Sequence, residues 1–338
     1  MTPHDSRFDR RALSSLCLLA VFSLAVLRVD STPGRGPSPQ QTPSKDFGRP
    51  VSIETGTEIY PRHQGFLQCA VDELTPEFRH GHTDELFNNL NKEPATGDRA
   101  VSVGHGAPGL QCTGQGDNCG SDNSIVMADF NNQYWEPMAG KIKGKYHGMT
   151  LLGCQVGLGS AGADFLYQMA KATQCPVRAP DSFIFCGPDG IFFDQGGTWV
   201  EATPQSKPTP HPPKRYQVKQ TETFQFWIDQ NFLTFKPNDV LSLEFEHRSY
   251  RQRDFTKLRL EAAELLRMVG FGEPIQIKGS PAAIVTGVFR LSLKTSNNVV
   301  EKTLVLYNDA LVGDRENQEV FYRVDSVRLA DYIARVTK

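Results

Sequence analysis

The chain has no excess of charge of either sign: 36 lysines and arginines face 38 aspartates and glutamates, which gives a net charge of -2. This near-balance removes the electrostatic argument for a nucleic acid as the main partner. The sequence contains neither a C-x-x-C pair nor a G-x-S-x-G motif. A structural zinc site and a serine-hydrolase elbow are therefore not expected. The chemistry that the remaining motifs suggest needs no cofactor and no metal.

Apolar residues are present in sufficient number for a folded core. Of the chain's residues 39% are hydrophobic and 10% aromatic, which excludes a wholly disordered chain. The length of 338 residues suggests two domains. One uncharged apolar stretch, residues 12–27, follows a segment rich in arginine. It is longer than a usual signal core and shorter than a comfortable membrane span. Residues 1–29 are therefore predicted to be a signal peptide or a signal-anchor, so that an exported protein would meet a membrane only through this segment.

Proline divides the rest of the chain. Residues 30–50 hold five prolines and are predicted to be a flexible spacer. Residues 203–214 hold five more and are predicted to be a semi-rigid linker. The first folded domain is then expected at 51–202 and the second at 215–338.

Strands and helices alternate in the first of these regions. Apolar strands are predicted at 99–103 and 149–152, and helices at 84–91 and 161–173. This alternation is typical of a parallel α/β sheet.

The second region is predicted to be a smaller α+β domain with a largely antiparallel sheet. It holds strand patterns at 241–246 and 284–293, among others, and a helix pattern at 255–268. A terminal helix is expected from a capping Ser326 onward. No catalytic constellation is found in this region.

Six of the seven cysteines follow the apolar segment, in a chain whose expected compartment permits disulfides. Cys112 and Cys119 bracket a polar, glycine-rich loop and could close it. Cys175 and Cys186 are a second candidate pair, across a turn.

Two chemically competent residues, His105 and Cys154, each follow an apolar strand and are flanked by glycine. Ligands gather at the carboxyl ends of parallel strands, so both side chains are expected at that edge of the sheet. A nucleophilic thiol needs an imidazole to shift its proton balance and to protonate the leaving amine. Gly106 leaves its backbone amide unobstructed as an oxyanion donor. The pattern predicts a His/Cys dyad.

The motifs around these residues resemble a known family. Residues 101–109 (VSVGHGAPG) and 151–157 (LLGCQVG) look like the His-Gly and Cys motifs of caspase-like, clan CD cysteine peptidases. The resemblance is closest to bacterial caspase-like domains of uncharacterised function. The glycine-rich run at 157–162 and the GGTWVE segment at 196–201 have counterparts in those domains.

This resemblance implies a caspase-like parallel sheet with helices on both faces and a cysteine endopeptidase acting on a protein or peptide. Cys154 would be the nucleophile and His105 its acid/base partner. The amides of Gly106 and Cys154 would be the oxyanion donors.

Two alternatives compete with this interpretation. The first is a catalytically inactive caspase-like domain that binds a partner at the cell surface. The second is a nucleotide-binding site, because Gly157, Gly159 and Gly162 form a G-x-G-x-x-G run, with Asp181 about 20 residues later. Export argues against the nucleotide site, which also leaves the His-Gly motif unexplained.

Three aspartates follow the catalytic strand: Asp181, Asp189 and Asp194. An acidic substrate pocket built from them would favour arginine or lysine before the cut. The alternative is that they are ordinary turn residues. With an acidic pocket, the linker offers a cut after Arg215 that would release the second domain.

Overall fold

The computed structural model describes residues 47–53, 64–74, 97–112, 135–228, 230–250, 252, 254–317 and 319–338. All of them belong to one compact unit that runs from Pro37 to the C-terminus. The predicted export segment at 1–29 and the predicted helix at 84–91 lie outside the described residues. None of the helices that the structure describes is long and apolar enough to cross a membrane.

The described residues form five α-helices and nineteen β-strands. The helices are α1 (Gln64–Leu74), α2 (Trp135–Ile142), α3 (Gly159–Thr173), α4 (Ala262–Met268) and α5 (Ser326–Val336). The strands before the proline-rich linker are β1 (Arg49–Ile53), β2 (Arg99–Val103), β3 (Gly106–Ala107), β4 (Leu110–Gln111), β5 (Gly148–Leu152), β6 (Val177–Pro180), β7 (Ile184–Gly187), β8 (Gly190–Phe193) and β9 (Trp199–Ala202). Those after it are β10 (Phe224–Ile228), β11 (Asn231–Phe235), β12 (Val240–His247), β13 (Thr256–Leu258), β14 (Ile275–Gln276), β15 (Ser280–Pro281), β16 (Val285–Lys294), β17 (Val299–Tyr307), β18 (Leu311–Asp314) and β19 (Val320–Arg323).

The first sheet has the strand order β1-β2-β5-β6-β9, in which β9 alone is antiparallel to its neighbour. Side chains alternate between the two faces of a strand, so β5 contributes to two cores. Met149 and Leu151 lie in the cluster that contains the apolar residues of α2 and α3. Leu152 lies in the cluster that contains those of α1. The mixed α/β architecture is confirmed, with helices on both faces of this sheet.

The second large sheet is antiparallel, with the order β13-β12-β16-β17-β18-β19-β14. Its apolar face shares a core with α4, α5 and the β10-β11 hairpin. Several aromatic rings pack against one another in this core, for example Phe226 against Phe271 and Phe271 against Tyr322. The predicted antiparallel α+β arrangement of this region is confirmed.

A third sheet joins the sequence on the two sides of the proline-rich linker. Its order is β15-β7-β8, so a strand from the second region pairs with β7 of the first. Phe185 of β7 packs edge-on against Phe321 of β19, with ring centroids 5.7 Å apart. The regions predicted as separate domains therefore share a hydrophobic core.

Two details of the second region differ from expectation. The helix predicted at 255–268 is wrong in its first half, because Thr256–Leu258 is a strand whose Leu258 pairs with Phe245 of β12. Pairing with an open strand edge satisfies these backbone groups, so the helix begins only at Ala262. The cap of α5 is Asp325 and not Ser326, since the Asp325 carboxylate accepts a hydrogen bond from the amide of Arg328.

We expect the two fragments of a chain that is cut within the linker to remain associated in solution. A recognition sequence for a site-specific protease, inserted after the exposed Pro213, would allow a single cut there. Because the shared core holds both fragments, they should elute together in size-exclusion chromatography.

No cysteine follows Cys186, so no disulfide can hold the second fragment. The same sample in concentrated urea without a reductant should therefore separate into two peaks. Separation in native buffer would contradict the shared core.

Candidate active site

The two predicted dyad residues lie at matching positions on neighbouring strands. Val103, at the end of β2, is the register partner of Leu152, at the end of β5. His105 and Cys154 each come two residues after this pair. The amide of Gly104 still donates to the carbonyl of Leu152, at 3.1 Å. The carboxyl edge of the parallel sheet therefore brings both segments together, as predicted.

Glycine is required where these segments touch. A Cβ atom added to Gly106 would lie 2.5 Å from a methyl carbon of Val156 and 2.8 Å from the carbonyl carbon of Gly153. One added to Gly153 would lie 2.9 Å from the carbonyl oxygen of Gly104. These are closer approaches than real side chains make, so only glycine permits the contact.

The two predicted oxyanion donors converge on one atom. The amide of Gly106 donates to the carbonyl oxygen of Ala282 at 3.0 Å, and the amide of Cys154 donates to the same oxygen at 2.8 Å. Two backbone N–H groups directed at one peptide carbonyl are the arrangement that an oxyanion hole requires. The carbonyl comes from the chain's own second region. Sequence reasoning missed Ala282, because no local pattern marks a residue whose importance comes from a partner more than a hundred positions away.

The Cys154 thiol is completely buried and is a free cysteine. Its Sγ lies 3.4 Å from the carbonyl oxygen of Ile184 and accepts a hydrogen bond from the Ile184 amide at 3.3 Å. Burial raises the pKa of this thiol far above its usual range, despite opposing hydrogen bonds from the Ile184 and Ala282 backbone, and the negative charge of Asp194 raises it further. The sulfur is therefore protonated at neutral pH in this conformation.

His105 is half-buried at the base of a small hairpin. The strands β3 and β4 pair antiparallel, and the amide of Cys112 donates to the His105 carbonyl at 2.9 Å. Cys112 is disulfide-bonded. The predicted partner, Cys119, lies outside the described residues. The hairpin holds the His105 backbone beside the end of β5.

A disulfide that was not predicted joins Cys69 of α1 to Cys186 of β7. The alternative pairing of Cys175 with Cys186 is wrong, because Cys175 is free and buried in the other core. The sequence shows no signal for the observed pair, since it spans 117 residues.

Two of the three predicted pocket aspartates are engaged by the chain itself. The Asp194 carboxylate binds the guanidinium of Arg323 at 2.6 Å and lies 3.4 Å from the Tyr216 hydroxyl. The Asp181 carboxylate accepts hydrogen bonds from Thr198 and binds the ring of His211 at 2.8 Å.

The third aspartate, Asp189, is exposed in the turn between β7 and β8. The cation that an acidic pocket would take from a substrate is thus supplied to Asp194 from within the fold, by Arg323.

A buried asparagine also reaches the site. The amide nitrogen of the Asn308 side chain donates to the carbonyl of Gly106 at 2.9 Å and to the side-chain oxygen of Gln155 at 3.0 Å. Its side-chain oxygen accepts from the amide of Ile284 at 3.0 Å. Asn308 therefore links the His105 hairpin, the segment after Cys154 and the segment after Ala282.

The glycine-rich run serves helix packing. A Cβ on Gly162 would lie 2.2 Å from the carbonyl carbon of Gly157, so α3 begins in close contact with the preceding turn. The amide of Gly159 donates to the carbonyl of His211. The parallel strands follow chain order, without the reversal at which dinucleotides bind. These contacts lend the nucleotide-binding alternative no support.

In the part of the chain that the structure describes, no group of three or more metal-binding side chains occurs. Comparison of the chain with protein-family models, with curated proteins and with solved structures finds no match. The geometry of the described residues is therefore the basis for a functional argument.

The buried thiol predicts a specific pH dependence of stability. Because the folded pKa of Cys154 is raised, its contribution is complete below the unfolded value of about 8.5 and is lost as the pH rises above it. Between pH 7.5 and 9.5 the free energy of unfolding should fall by about 1.4 kcal/mol more in the wild type than in Cys154→Ala. Urea titrations at the two pH values measure this difference.

Cys175 has a raised pKa as well, and it is present in both proteins, so its effect cancels. Equal pH dependence in the two proteins would show that Cys154 is not buried in solution.

Proposed function

We propose that the chain is an exported cysteine endopeptidase of the caspase-like type, with Cys154 as nucleophile and His105 as acid/base partner. One observation carries the proposal: the amides of Gly106 and of Cys154, the proposed nucleophile, hold a single peptide carbonyl oxygen, that of Ala282. The Cys69–Cys186 disulfide supports export, because such bonds persist in oxidising compartments. The substrate class is a protein or peptide.

In the proposed reaction the Cys154 thiol gives its proton to His105, and the sulfur forms a bond to the carbonyl carbon of the substrate. The amides of Gly106 and Cys154 stabilise the negative oxygen of the tetrahedral intermediate. The carbon–nitrogen bond then breaks while His105 returns the proton to the leaving amine. Water hydrolyses the remaining thioester and restores the thiol.

A second candidate is a caspase-like domain that binds a partner without catalysis. The complete burial of Cys154 and the occupation of both amides by the chain itself favour this candidate. The two functions differ in whether the reactivity of Cys154 depends on His105.

The test is hydrolysis of a peptide library, together with labelling by a peptidyl thiol-reactive probe. Two proteins would be produced in an oxidising compartment: the wild type, and Asn308→Ala, which loses the side-chain hydrogen bonds to Gly106, Gln155 and Ile284 and so loosens the segment that carries Ala282. We expect hydrolysis to be absent in Cys154→Ala and at least about 100-fold slower in His105→Ala, because general acid–base catalysis typically contributes that much.

Cys175→Ala is the matched control, since it removes the other buried free thiol and should leave hydrolysis unchanged. If Cys154 reacts with a simple alkylating agent at a rate independent of His105 and no peptide is cut, the binding function is the better account.

A further inference from the structure

We infer that residues 280–283 occupy the site in the manner of a substrate, remain uncut, and show that the site accepts a small apolar side chain before the bond that Cys154 attacks. Ala282 would be that residue, and Ala282–Ala283 the corresponding bond. The inference deepens the proposed function, and its interpretation of the segment as a substrate rests on that function. The occupation itself is a property of the fold.

The first support is strand pairing. The segment adds an antiparallel strand to the edge of β7, with Ser280 opposite Cys186 and Pro281 opposite Phe185. The amide of Ala282 then donates to the carbonyl of Ile184 at 3.1 Å. Addition of an extended strand to a sheet edge is a common way to bind a peptide, because backbone bonds give affinity whatever the sequence.

The second support is the placement of one peptide group. The nitrogen of Ala282 is held by β7 and its carbonyl oxygen by the amides of Gly106 and Cys154. Ala282 and Cys154 also belong to the same buried apolar cluster. Residue 282 is thus fixed on both sides next to the nucleophile, as a residue before a scissile bond must be.

The residues after the Ala282–Ala283 bond, which would carry the leaving amine, are held by the fold. The amide of Ile284 donates to the Asn308 side chain, the amide of Asn308 donates to the Ile284 carbonyl, and β16 begins at the next residue. Ala282 and Ala283 are both fully buried, so water has no access to the bond between them. A tethered amine and a dry site together explain why the segment stays intact.

The space around residue 282 sets the substrate class. The methyl group of Ala282 lies in the apolar cluster that also contains Val103, Leu152 and Cys154. No exposed surface remains on Ala282, so a longer side chain in its place would have to displace this packing. The pairing of Asp194 with Arg323 neutralises one of the carboxylates that were expected to select a basic residue. The preference predicted from the acidic residues, for arginine or lysine, is therefore replaced by one for alanine.

A cleft of about 490 Å³ opens at the upstream end of the segment, between α1 and β7. Gly279 and Ser280 line it together with Cys69, Cys186 and Gly187. A peptide that replaced the segment would extend into this cleft from the edge of β7.

Alkylation of the two buried free thiols tests the occupation. Global unfolding exposes Cys154 and Cys175 together, whereas departure of the segment exposes Cys154 alone. In Asn308→Ala, which loses the downstream tether, we expect iodoacetamide to modify Cys154 at least about ten times faster than Cys175, as measured by peptide mass spectrometry. In the wild type both should react slowly.

Leu266→Ala is the matched control, because it creates a cavity in the core of the second large sheet without touching residues 280–283. Both thiols should then react in parallel. Ala282→Leu is a second opening variant, should Asn308→Ala not fold, because its side chain exceeds the available space. Parallel reaction of the two thiols in the opening variants would overturn the inference, whether or not peptides are cut.

The substrate class is tested with fluorogenic peptides that reproduce residues 278–282 (KGSPA) and end in alanine, arginine or aspartate. Asn308→Ala should cut the peptide that ends in alanine at least about ten times faster than the peptides that end in arginine or aspartate. Cys154→Ala should cut none of them. Faster cutting of the arginine peptide would overturn the preference.

Selective exposure of Cys154 without hydrolysis would leave the occupation standing and disprove the peptidase. Intact mass measurement of the wild type should show one uncut chain. A wild-type chain that is cut between Ala282 and Ala283 would overturn the inference that the segment stays in the site uncut.

Discussion

The carbonyl oxygen of Ala282 satisfies two buried backbone amides at once, those of Gly106 and Cys154. A buried amide left without an acceptor costs about 1–3 kcal/mol. Two buried amides without an acceptor would therefore destabilise the fold. The chain supplies the acceptor itself, as the carbonyl oxygen of Ala282. A substrate carbonyl in this position would accept the same two hydrogen bonds, but it would first have to displace Ala282, which strand pairing and the covalent chain hold at the site.

The second region takes part in the site although it carries none of the predicted catalytic groups. Asn308 fastens the segment after Ala282 to the Gly106 carbonyl, and Arg323 neutralises Asp194. A buried carboxylate and a buried asparagine both require partners in a low-dielectric interior. These polar contacts connect the two sides of the proline-rich linker in addition to the shared apolar core. The sequence predicted a linker between domains, because proline content reports local stiffness and not what the flanking segments pack against.

Periodicity in the sequence predicts most of the elements that position His105 and Cys154. The strand predicted at 99–103 is β2, and the helix predicted at 161–173 is α3 with two further residues at its start. These elements are buried on a regular face, so their side chains carry the pattern. The sequence predicts no β10-β11 hairpin, and its helix pattern at 255–268 wrongly includes residues 256–258. These short strands pair with neighbours close in the chain, and what fixes them is the burial of one face against the core of the second region, which local propensity does not report.

From the sequence alone, the placement of His105 and Cys154 after two apolar strands could be deduced, as could the need for glycine beside them, because strand ends and close backbone approach leave local traces. The register of β2 against β5 and the contact of Gly106 with Gly153 agree with that deduction. Only the tertiary structure decided that the thiol is buried, that Asp194 is paired with Arg323, and that Ala282 lies between the two amides. The reason is physical: burial, charge pairing and hydrogen-bond satisfaction depend on which distant segments meet, and a backbone carbonyl is present at every residue, so its sequence context cannot mark the one that the site will hold.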